Sequence, residues 1–467
     1  MGYTISEIQS LRSGYQVAHQ ALGCAKNLVD SESMLALIKQ AGYSCVADMA
    51  EADLILVNTC AFIEAAKREA IDAILQAASF KEGRCRALVV CGCLAQRYAK
   101  EIEAELPEVD AILGVAHYKD VVETLDRLLL PEADIQALYG LDDKPLLDVS
   151  YSTVGALAHL NSVRDFQQQS YAYLKISEGC VHRCAYCAIP AIRGPLCSRP
   201  MEDILDEAKR IREAGVPELI LVAQDSCSYG LDLYGRRRFA DLLDALAQLD
   251  FPRIRYLYGY VNGTTRELLD CIERHENILP YFDIPIQHAA DSVLQRMRRP
   301  DRQEQLRRCF QELRRRFPRA TLRTTVICGY PGETESEFKE LLDFVKEVQF
   351  DHLGCFTYSP EEGTAAAELP DRVPSEVAEA RSAQLMALQQ EISQARSQRL
   401  IGQRRQVLIE KVSDDGLFYI GRTEAQAPDI DPVCYVLSEA GALELQRIYP
   451  VEILEVQDYD LTGVYRE

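Results

Sequence analysis

The sequence predicts a multidomain α/β protein with an N-terminal doubly wound parallel sheet, a central partial (β/α) barrel and a small C-terminal β-barrel. Three observations lead to this prediction. Strands and helices alternate over the first 130 residues, strand–helix pairs repeat about six times over residues 166–396, and short strands alternate apolar and polar positions over residues 400–467. With 467 residues, 48% of them hydrophobic and 26% charged, the chain is long enough for two to four domains.

The N-terminal sheet is predicted from four apolar runs, YQVAHQALG, ADLILVNTC, ALVVCGC and DAILG. Amphipathic segments such as LVDSESMLALIKQAG and FIEAAKREAIDAILQAA separate these runs and are expected to be helices. Strands joined by helices in this rhythm cross over right-handedly and lie parallel. Function in such sheets gathers at the carboxyl ends of the strands.

Three cysteines, Cys24, Cys60 and Cys93, follow the first three predicted strands and are called here the sheet-edge cysteines. Neighbouring parallel strands lie about 4.8 Å apart, so their ends bring these thiols to one edge, where they can share a metal cluster. The alternative is that all three pack as small hydrophobic side chains. Cys91 is a weaker candidate than Cys93 because it lies inside the apolar run ALVVC.

A second group, Cys180, Cys184 and Cys187, has the spacing C-x3-C-x2-C directly after the predicted strand YAYLKIS and is called here the loop cysteines. Three soft thiolates on one short loop can hold three irons of a cubane cluster and leave the fourth iron open for chemistry. A tetrahedral zinc site is the alternative, and its fourth ligand would have to be His182 or Cys197.

The central barrel is predicted from the strand-like runs YAYLKIS, ELILVAQ, RIRYLYGY, YFDIPIQ, LRTTVICGY and HLGCFTY, each followed by a charged helical segment. The active site of a parallel barrel lies at the carboxyl ends of its strands, where the loop cysteines also fall. Polar residues or glycine follow three further strands and are expected to surround a cofactor there. They are Gln224, Asp225, Gln287, His288 and Gly329.

The C-terminal barrel is predicted from QRRQVLIEKV, LFYIGRT, PVCYVLS and PVEILEVQDYD. Residues 400–467 carry six basic and thirteen acidic side chains, and the whole chain has a formal net charge of −21. Because nucleic-acid affinity depends on Lys and Arg neutralising phosphates, this acidity disfavours RNA as the main contact and favours a strongly basic protein partner. Acidity that serves solubility alone is the alternative.

Two further features of the sequence predict that the protein stays inside the cell. No apolar run reaches the roughly 18 residues that a membrane span needs, and the polar start MGYTISEIQS lacks the apolar core of a signal peptide. The sixteen cysteines are therefore expected to be mostly reduced, in a cytoplasmic protein with no membrane contact.

The loop with its aromatic Tyr186 before the last cysteine resembles the radical S-adenosylmethionine superfamily. Taken with the sheet-edge cysteines, the order of motifs resembles the methylthiotransferase family from about residue 15 to the C-terminus. The segments that carry this resemblance are LGCAKNLVDSE, NTCAFIEAAKREAI, GCLAQRY, SEGCVHRCAYCAIPAIRG, AQDSCSYGLDLYG, DIPIQHAADSVLQRM and TTVICGYPGETESEF. It implies a methylthiotransferase N-terminal domain at 15–130, a radical S-adenosylmethionine core at 166–396 and a TRAM domain at 399–467.

The resemblance implies S-adenosylmethionine and two [4Fe-4S] clusters as cofactors. The loop cysteines would hold the cluster that cleaves S-adenosylmethionine to a 5′-deoxyadenosyl radical, and the sheet-edge cysteines would hold the cluster that carries the sulfur. Candidate cofactor contacts are Tyr186, Gln224 and Asp225. No catalytic side chain is assigned beyond the six ligands.

Within the family, the sequence is most similar to the branch that adds a methylthio group to the β-carbon of an aspartate in ribosomal protein S-twelve, free or in the small subunit. Such a reaction needs an electron donor such as flavodoxin and a sulfur donor. Two alternatives remain open: the same chemistry on a modified adenosine of tRNA, and a non-enzymatic iron–sulfur sensor that uses both cysteine sets structurally.

Overall fold

The computed structural model of the chain describes residues 4–61, 63–140, 147–150, 157–166 and 169–466. It divides into two compact units. The first unit comprises Met1–Asp165, Glu178–Val181 and Ala188–Arg199, and the second comprises Phe166–Ser177, His182–Cys187 and Pro200–Glu467. No described helix is both long enough and apolar enough to cross a bilayer.

Helices and strands follow one another along the whole chain. The helices are α1 (Ile5–Arg12), α2 (Ala25–Gln40), α3 (Glu64–Ser79), α4 (Cys93–Arg97), α5 (Ala99–Glu105), α6 (Val121–Leu129), α7 (Glu132–Tyr139), α8 (Ile189–Ile192), α9 (Met201–Glu213), α10 (Phe239–Ala247), α11 (Arg266–Arg274), α12 (Asp291–Arg296), α13 (Gln303–Arg316), α14 (Glu335–Val348) and α15 (Ser375–Ser397). The strands are β1 (Gln16–Ala21), β2 (Ser44–Val46), β3 (Leu54–Thr59), β4 (Ala87–Gly92), β5 (Ala111–Leu113), β6 (Leu147–Asp148), β7 (Tyr171–Lys175), β8 (Ser177–Glu178), β9 (Cys197–Ser198), β10 (Glu218–Val222), β11 (Arg253–Tyr256), β12 (Tyr281–Asp283), β13 (Thr321–Cys328), β14 (His352–Thr357), β15 (Arg404–Val412), β16 (Tyr419–Arg422), β17 (Cys434–Ser438), β18 (Ile448–Gln457) and β19 (Asp460–Tyr465).

The first unit is built on a parallel sheet with the strand order β2-β1-β3-β4-β5-β6. Every residue of β3 and β4 is buried, as expected for central parallel strands with helices on both faces. Alternate residues serve two separate cores, since Leu88 and Val90 of β4 pack on one side and Val89 and Cys91 pack on the other. The predicted doubly wound sheet is confirmed, and β2 and β6 extend it at its two edges.

The second unit contains the six parallel strands predicted for the central barrel. They form two sheets, β7-β10-β11 and β12-β13-β14, and Ile254 of β11 bridges to Ile278 just before β12. Helices α9, α10, α11, α13 and α14 lie between successive strands in the chain. A continuous core that includes Leu221, Phe282 and Leu341 joins the strands to these helices. The result is the predicted partial (β/α) barrel.

The C-terminal part of the second unit is a closed barrel with the strand order β15-β16-β17-β19-β18. Its interior holds Val407, Ile409, Val436, Val451 and Ile453. The small β-barrel is therefore confirmed. The sequence pattern predicted four strands and missed the fifth, β19, which closes the barrel by pairing with both β17 and β18.

The small barrel covers the amino-terminal ends of the strands of the partial barrel. Tyr171, the first residue of β7, donates to Asp429 at 3.1 Å, and Tyr281, the first residue of β12, donates to Asp431 at 2.6 Å. His352, the first residue of β14, lies 2.9 Å from the carbonyl oxygen of Ala425 through its Nε2. The carboxyl ends of these strands, where barrel chemistry takes place, are at the opposite end.

Candidate cluster and cofactor sites

The sheet-edge cysteines lie at the carboxyl ends of three adjacent strands of the first unit. Cys24 is the N-cap of α2, in the loop that follows β1. Cys60 comes directly after β3, and Cys93 is the first residue of α4, directly after β4. Because β1 pairs with β3 and β3 pairs with β4, the three positions share one edge of the sheet.

One contact and the electrostatic effects among the thiols indicate that the three cysteines are near neighbours. A Cβ atom on Gly23, next to Cys24, would lie 3.0 Å from the Sγ of Cys60. Burial, together with the neighbouring Cys24 and Cys60, raises the pKa of Cys93 to about 11 against the opposing effect of Arg193. At Cys24 burial also opposes ionisation, but Lys26 and Arg193 bring the pKa below its ordinary value. Lys26 and Arg193 therefore favour the thiolate form of Cys24 at this edge.

The backbone around these cysteines depends on glycine and asparagine. Gly92 has a φ of 98°, and a Cβ atom there would lie 2.4 Å from both the Asn58 Oδ1 and the Thr59 carbonyl oxygen. The Asn27 Nδ2 donates to the carbonyl oxygens of Leu22 at 3.0 Å and Thr59 at 2.8 Å, which ties the loops of Cys24 and Cys60 together. Asn27 therefore holds the ends of β1 and β3 together, and the close approach at Gly92 leaves no room for a side chain at the end of β4.

Replacing Gly92 with alanine is expected to disturb this edge strongly. The new methyl group collides with the backbone of Thr59, and the left-handed φ disfavours any L side chain, so we expect a loss of stability of about 2–4 kcal/mol. Thermal unfolding followed by circular dichroism measures the loss. Gly140→Ala is the matched control, because Gly140 also has a positive φ of 81° but its Cβ would meet no atom of the described residues within 4 Å. An equal loss in both variants would show that the backbone angle alone, and not the contact with Thr59, matters.

Arg193 is a buried residue at this edge that sequence reasoning missed. It lies in residues 188–199, which belong to the first unit. Its Nε and Nη2 donate to the Cys93 Sγ at 3.3 and 3.2 Å, and its Nη1 donates to Asp30 and Glu178, each at 2.8 Å. The RG that ends the segment CVHRCAYCAIPAIRG was visible in the sequence, but nothing in it indicated a contact with Cys93.

The loop cysteines are all half-buried, on eight consecutive residues. In the first unit, the Cys180 amide donates to the Gly194 carbonyl oxygen at 3.2 Å. In the second unit, the Cys187 amide donates to the Cys184 carbonyl oxygen at 3.1 Å. The amide of Ala185, between them, donates to the Met297 carbonyl oxygen at 2.9 Å, and its carbonyl oxygen accepts from the Ala366 amide at 2.8 Å. The backbone is thus tied down by hydrogen bonds and each of the three residues is half-buried, which fits a set of soft ligands for a cluster.

Asp225 organises the polar side of the second unit's site, at the carboxyl end of β10 beside the half-buried Gln224. Its Oδ1 accepts from the Cys227 amide at 3.0 Å, and its Oδ2 accepts from the Ser228 hydroxyl at 2.5 Å. The same Oδ2 lies 2.8 Å from the Nε2 of His182, which is in the cysteine loop. The carboxylate therefore fixes one side chain of that loop.

An aromatic and cationic group lies beside the loop. The imidazole of His182 stacks on the ring of Tyr260 with centroids 4.0 Å apart and an interplanar angle of 12°. The guanidinium of Arg299 lies 4.1 Å from the centroid of the same ring. Tyr186 packs in the small core of Ala185 and Met297. Sequence reasoning proposed Tyr186, but it missed Tyr260 and Arg299, and it considered His182 only as a zinc ligand.

The remaining predicted strand-end residues, Gln287, His288 and Gly329, are fixed by backbone conformation or by contacts within the protein. Gln287 has a φ of 69°, a strained value for a residue with a side chain and one that is common at functional sites. His288 is fully buried, with its Nε2 3.6 Å from a carboxylate oxygen of Glu333, and the Gly329 amide donates to that carboxylate at 3.0 Å. Glu333 therefore links the ends of two strands.

Three protein-family models match the chain. They are described as Uncharacterized protein family UPF0004, over residues 16–114, Radical SAM superfamily, over residues 174–345, and TRAM domain, over residues 401–465. Among solved structures, the radical S-adenosylmethionine methyltransferase TsrM from Kitasatospora setae, with cobalamin and a [4Fe-4S] cluster bound, aligns with a TM-score of 0.54 at 12% identity over 75% of this chain and 73% of that one. The family models identify a radical S-adenosylmethionine domain in the middle of the chain and a TRAM domain at its C-terminal end, and the likeness to TsrM shows the fold.

Similarity to curated relatives identifies the family to which the chain belongs. The chain is 43% identical to the ribosomal protein uS12 methylthiotransferase RimO of Clostridioides difficile over 96% of this chain and 98% of the relative. It is 45% identical to the protein of the same name from Acetivibrio thermocellus, over 95% of this chain and 96% of the relative. The chain belongs to the RimO family of methylthiotransferases, and the predicted family resemblance is confirmed.

Proposed function

We propose that this enzyme adds a methylthio group to the β-carbon of an aspartate in ribosomal protein uS12, the S-twelve protein of the sequence analysis. The observation that carries the proposal is the identity of 41–45% over nearly the whole chain with several relatives named for modifying uS12. Similarity of this extent includes the N-terminal sheet, the partial barrel and the C-terminal barrel together. We propose functional domains at 15–130, 166–396 and 399–467.

The six cysteines are proposed to hold two [4Fe-4S] clusters. The sheet-edge cysteines would hold one and the loop cysteines the other, because each set supplies three soft thiolates and leaves one iron free for an external ligand. When bound, the cluster of the loop and S-adenosylmethionine supply a radical able to remove hydrogen from an unactivated carbon. The half-buried thiols of the loop fit this assignment, and so do the cations beside Cys24.

The protein's own contribution at the loop is orientation. Asp225 accepts three hydrogen bonds and fixes His182, which lies between two of the loop cysteines in the sequence. Tyr260 supports the imidazole by stacking, and Arg299 brings a positive charge to the same ring. We propose that Tyr186, Gln224 and Asp225 line the place of S-adenosylmethionine and keep its reactive bond in one position.

Charge supports a basic protein as the substrate. The C-terminal barrel region carries thirteen acidic against six basic side chains, and the chain as a whole is at −21. Ribosomal proteins that bind RNA are strongly basic, so long-range attraction would steer such a partner to this enzyme in the cytoplasm. An electron donor such as flavodoxin and a sulfur donor complete the proposed set of partners.

An anaerobic reaction tests the proposal. The iron-reconstituted, reduced protein is given S-adenosylmethionine and sulfide, with purified uS12 and bulk tRNA offered in parallel, and both are analysed by mass spectrometry. We expect a methylthio mass gain on one aspartate of uS12 and none on tRNA. A gain on tRNA alone would overturn the substrate, and failure to cleave S-adenosylmethionine at all would favour a non-enzymatic sensor.

A further inference from the structure

The contact between Arg193 and Cys93 is unusual because a fully buried guanidinium donates two hydrogen bonds to one sulfur. Arg193 is only 2% exposed. Removing a guanidinium from water is costly unless its donors are satisfied, so a buried arginine normally meets carboxylates or carbonyl oxygens. Here Nη1 meets two carboxylates, while Nε and Nη2 are aimed at the Cys93 Sγ.

The two carboxylates fix the direction of the guanidinium. Asp30 and Glu178 each accept from the same Nη1 at 2.8 Å, and Asp30 is itself bound to the Nε2 of His159 at 2.8 Å. Asn27 accepts from Nη2 through its Oδ1. With one end of the planar group held in this way, the Nε edge can only face the sulfur, since the fork of the arginine is rigid.

We propose that Arg193 is a positioning residue that holds the Cys93 sulfur and raises the reduction potential of the cluster on the sheet-edge cysteines. This inference rests on the proposed function, which places a cluster there. Adding one electron makes a cluster more negative, and N–H groups that donate to a ligand sulfur stabilise that added charge. Removing the two donors should therefore make the cluster harder to reduce.

Lysine and glutamine separate the two contributions of the arginine. Arg193→Lys keeps the positive charge but loses the planar pair of donors, and Arg193→Gln loses the charge as well. Because Gln would leave Asp30 and Glu178 buried without their cation, the double variant Arg193→Gln/Glu178→Gln removes one of these carboxylate charges and protects the fold.

The experiment uses the full chain with Cys180, Cys184 and Cys187 all changed to alanine, so that the only predicted cluster is on the sheet-edge cysteines. The protein is reconstituted with iron and sulfide, and the reduction of its cluster is followed by electron paramagnetic resonance during an anaerobic potentiometric titration. We expect Arg193→Gln and the double variant to lower the equilibrium constant for reduction about tenfold or more, which is about 59 mV for one electron. Arg193→Lys should fall between these variants and the parent.

Arg12→Gln is the matched control. Arg12 is a buried arginine of the same unit that donates to Asp126, the Ala41 carbonyl oxygen and Tyr139, and no contact with a cysteine is described for it. Its variant should leave the potential unchanged. If the Arg193 variants keep the parent potential, or if Arg12→Gln shifts it equally, the inference is overturned.

A variant that fails to bind the cluster also tests the inference. If the parent with the three alanines binds no cluster, the proposed second cluster and the inference fall together. If the parent binds it and Arg193→Gln alone loses it while circular dichroism shows a folded chain, the holding of Cys93 is supported. The potential of Arg193→Lys then decides the electronic part, and a value equal to that of the parent overturns that part.

Discussion

Replacing Cys184 with alanine is expected to abolish cleavage of S-adenosylmethionine while leaving about half of the bound iron. The loop would keep only two thiolates, too few to hold three irons of a cubane and leave the fourth open. Since enzymes accelerate reactions by 10⁶-fold or more, loss of the cofactor should take the rate below detection. The sheet-edge cysteines are untouched by this change, so the cluster proposed for them should remain. Iron analysis, visible absorption and chromatographic detection of 5′-deoxyadenosine measure the three expectations.

Two further variants make this result specific. Cys60→Ala should also lose about half of the iron but should keep cleavage of S-adenosylmethionine and lose methylthio transfer. Cys45→Ala, a half-buried cysteine of β2 outside both sets, should keep iron and activity. Full iron content in Cys184→Ala, or an equal loss of iron in Cys45→Ala, would contradict the assignment of ligands.

The positions of these cysteines illustrate what a sequence can predict. Cys24, Cys60 and Cys93 are separated by more than thirty residues each, yet parallel strands joined by helices must present their carboxyl ends on one edge. The periodicity of the strands therefore sufficed to place them together. It also favoured Cys93 over Cys91, and the structure buries both, Cys91 in one core beside Val89 and Cys93 in the other.

Contacts made between distant side chains could not be predicted in the same way. Arg193 follows the cysteine loop in the sequence, and only the folded first unit brings it against Cys93 and Asp30. The stack of His182 on Tyr260 likewise depends on the angle between a loop and a strand end. Strand β6 has two residues, too few to show any hydrophobic period.

The docking of the small barrel on the partial barrel was also invisible in the sequence. Glu218 looks there like a charged residue at the start of an apolar strand, where solvent exposure is the ordinary expectation. In the structure it is fully buried, with its Oε1 2.8 Å from the Arg255 Nε and its Oε2 2.9 Å from the Arg422 Nη2. Arg422 belongs to the small barrel and also meets Glu410 at 2.7 Å. A buried ion network thus joins two domains of the second unit.

Replacing Glu218 with glutamine is expected to destabilise this junction by about 3–5 kcal/mol. The change removes the carboxylate partner of the buried Arg255 and leaves the buried Arg422 with one carboxylate partner, Glu410. Unfolding in urea followed by circular dichroism measures the total loss. Hydrogen exchange of the β15 and β16 amides shows whether the small barrel opens first. Glu439→Gln is the control, since the Glu439 and Arg466 side chains are 59% and 45% exposed and solvent screens their ion pair, so its loss should change the stability little.

The dependence of stability on acidic pH is an independent measurement of the same ion network. Burial opposes the charge of Glu218, but Arg422, Arg255 and Arg253 overcome it and lower the pKa from the ordinary 4.5 to about 2. A carboxyl group with a lowered pKa in the folded state stabilises that state above its ordinary pKa, and this contribution is lost as the pH falls from about 4.5 toward 2. The stability of the parent should therefore fall more steeply over this range than that of Glu218→Gln, which has no proton to take up at this position. Acid unfolding of the two proteins is measured in parallel, with Glu439→Gln as the control that should follow the parent. A steeper loss of stability in the parent would then be attributed to the buried carboxylate. Identical dependence of stability on pH would show that Glu218 does not titrate in this range.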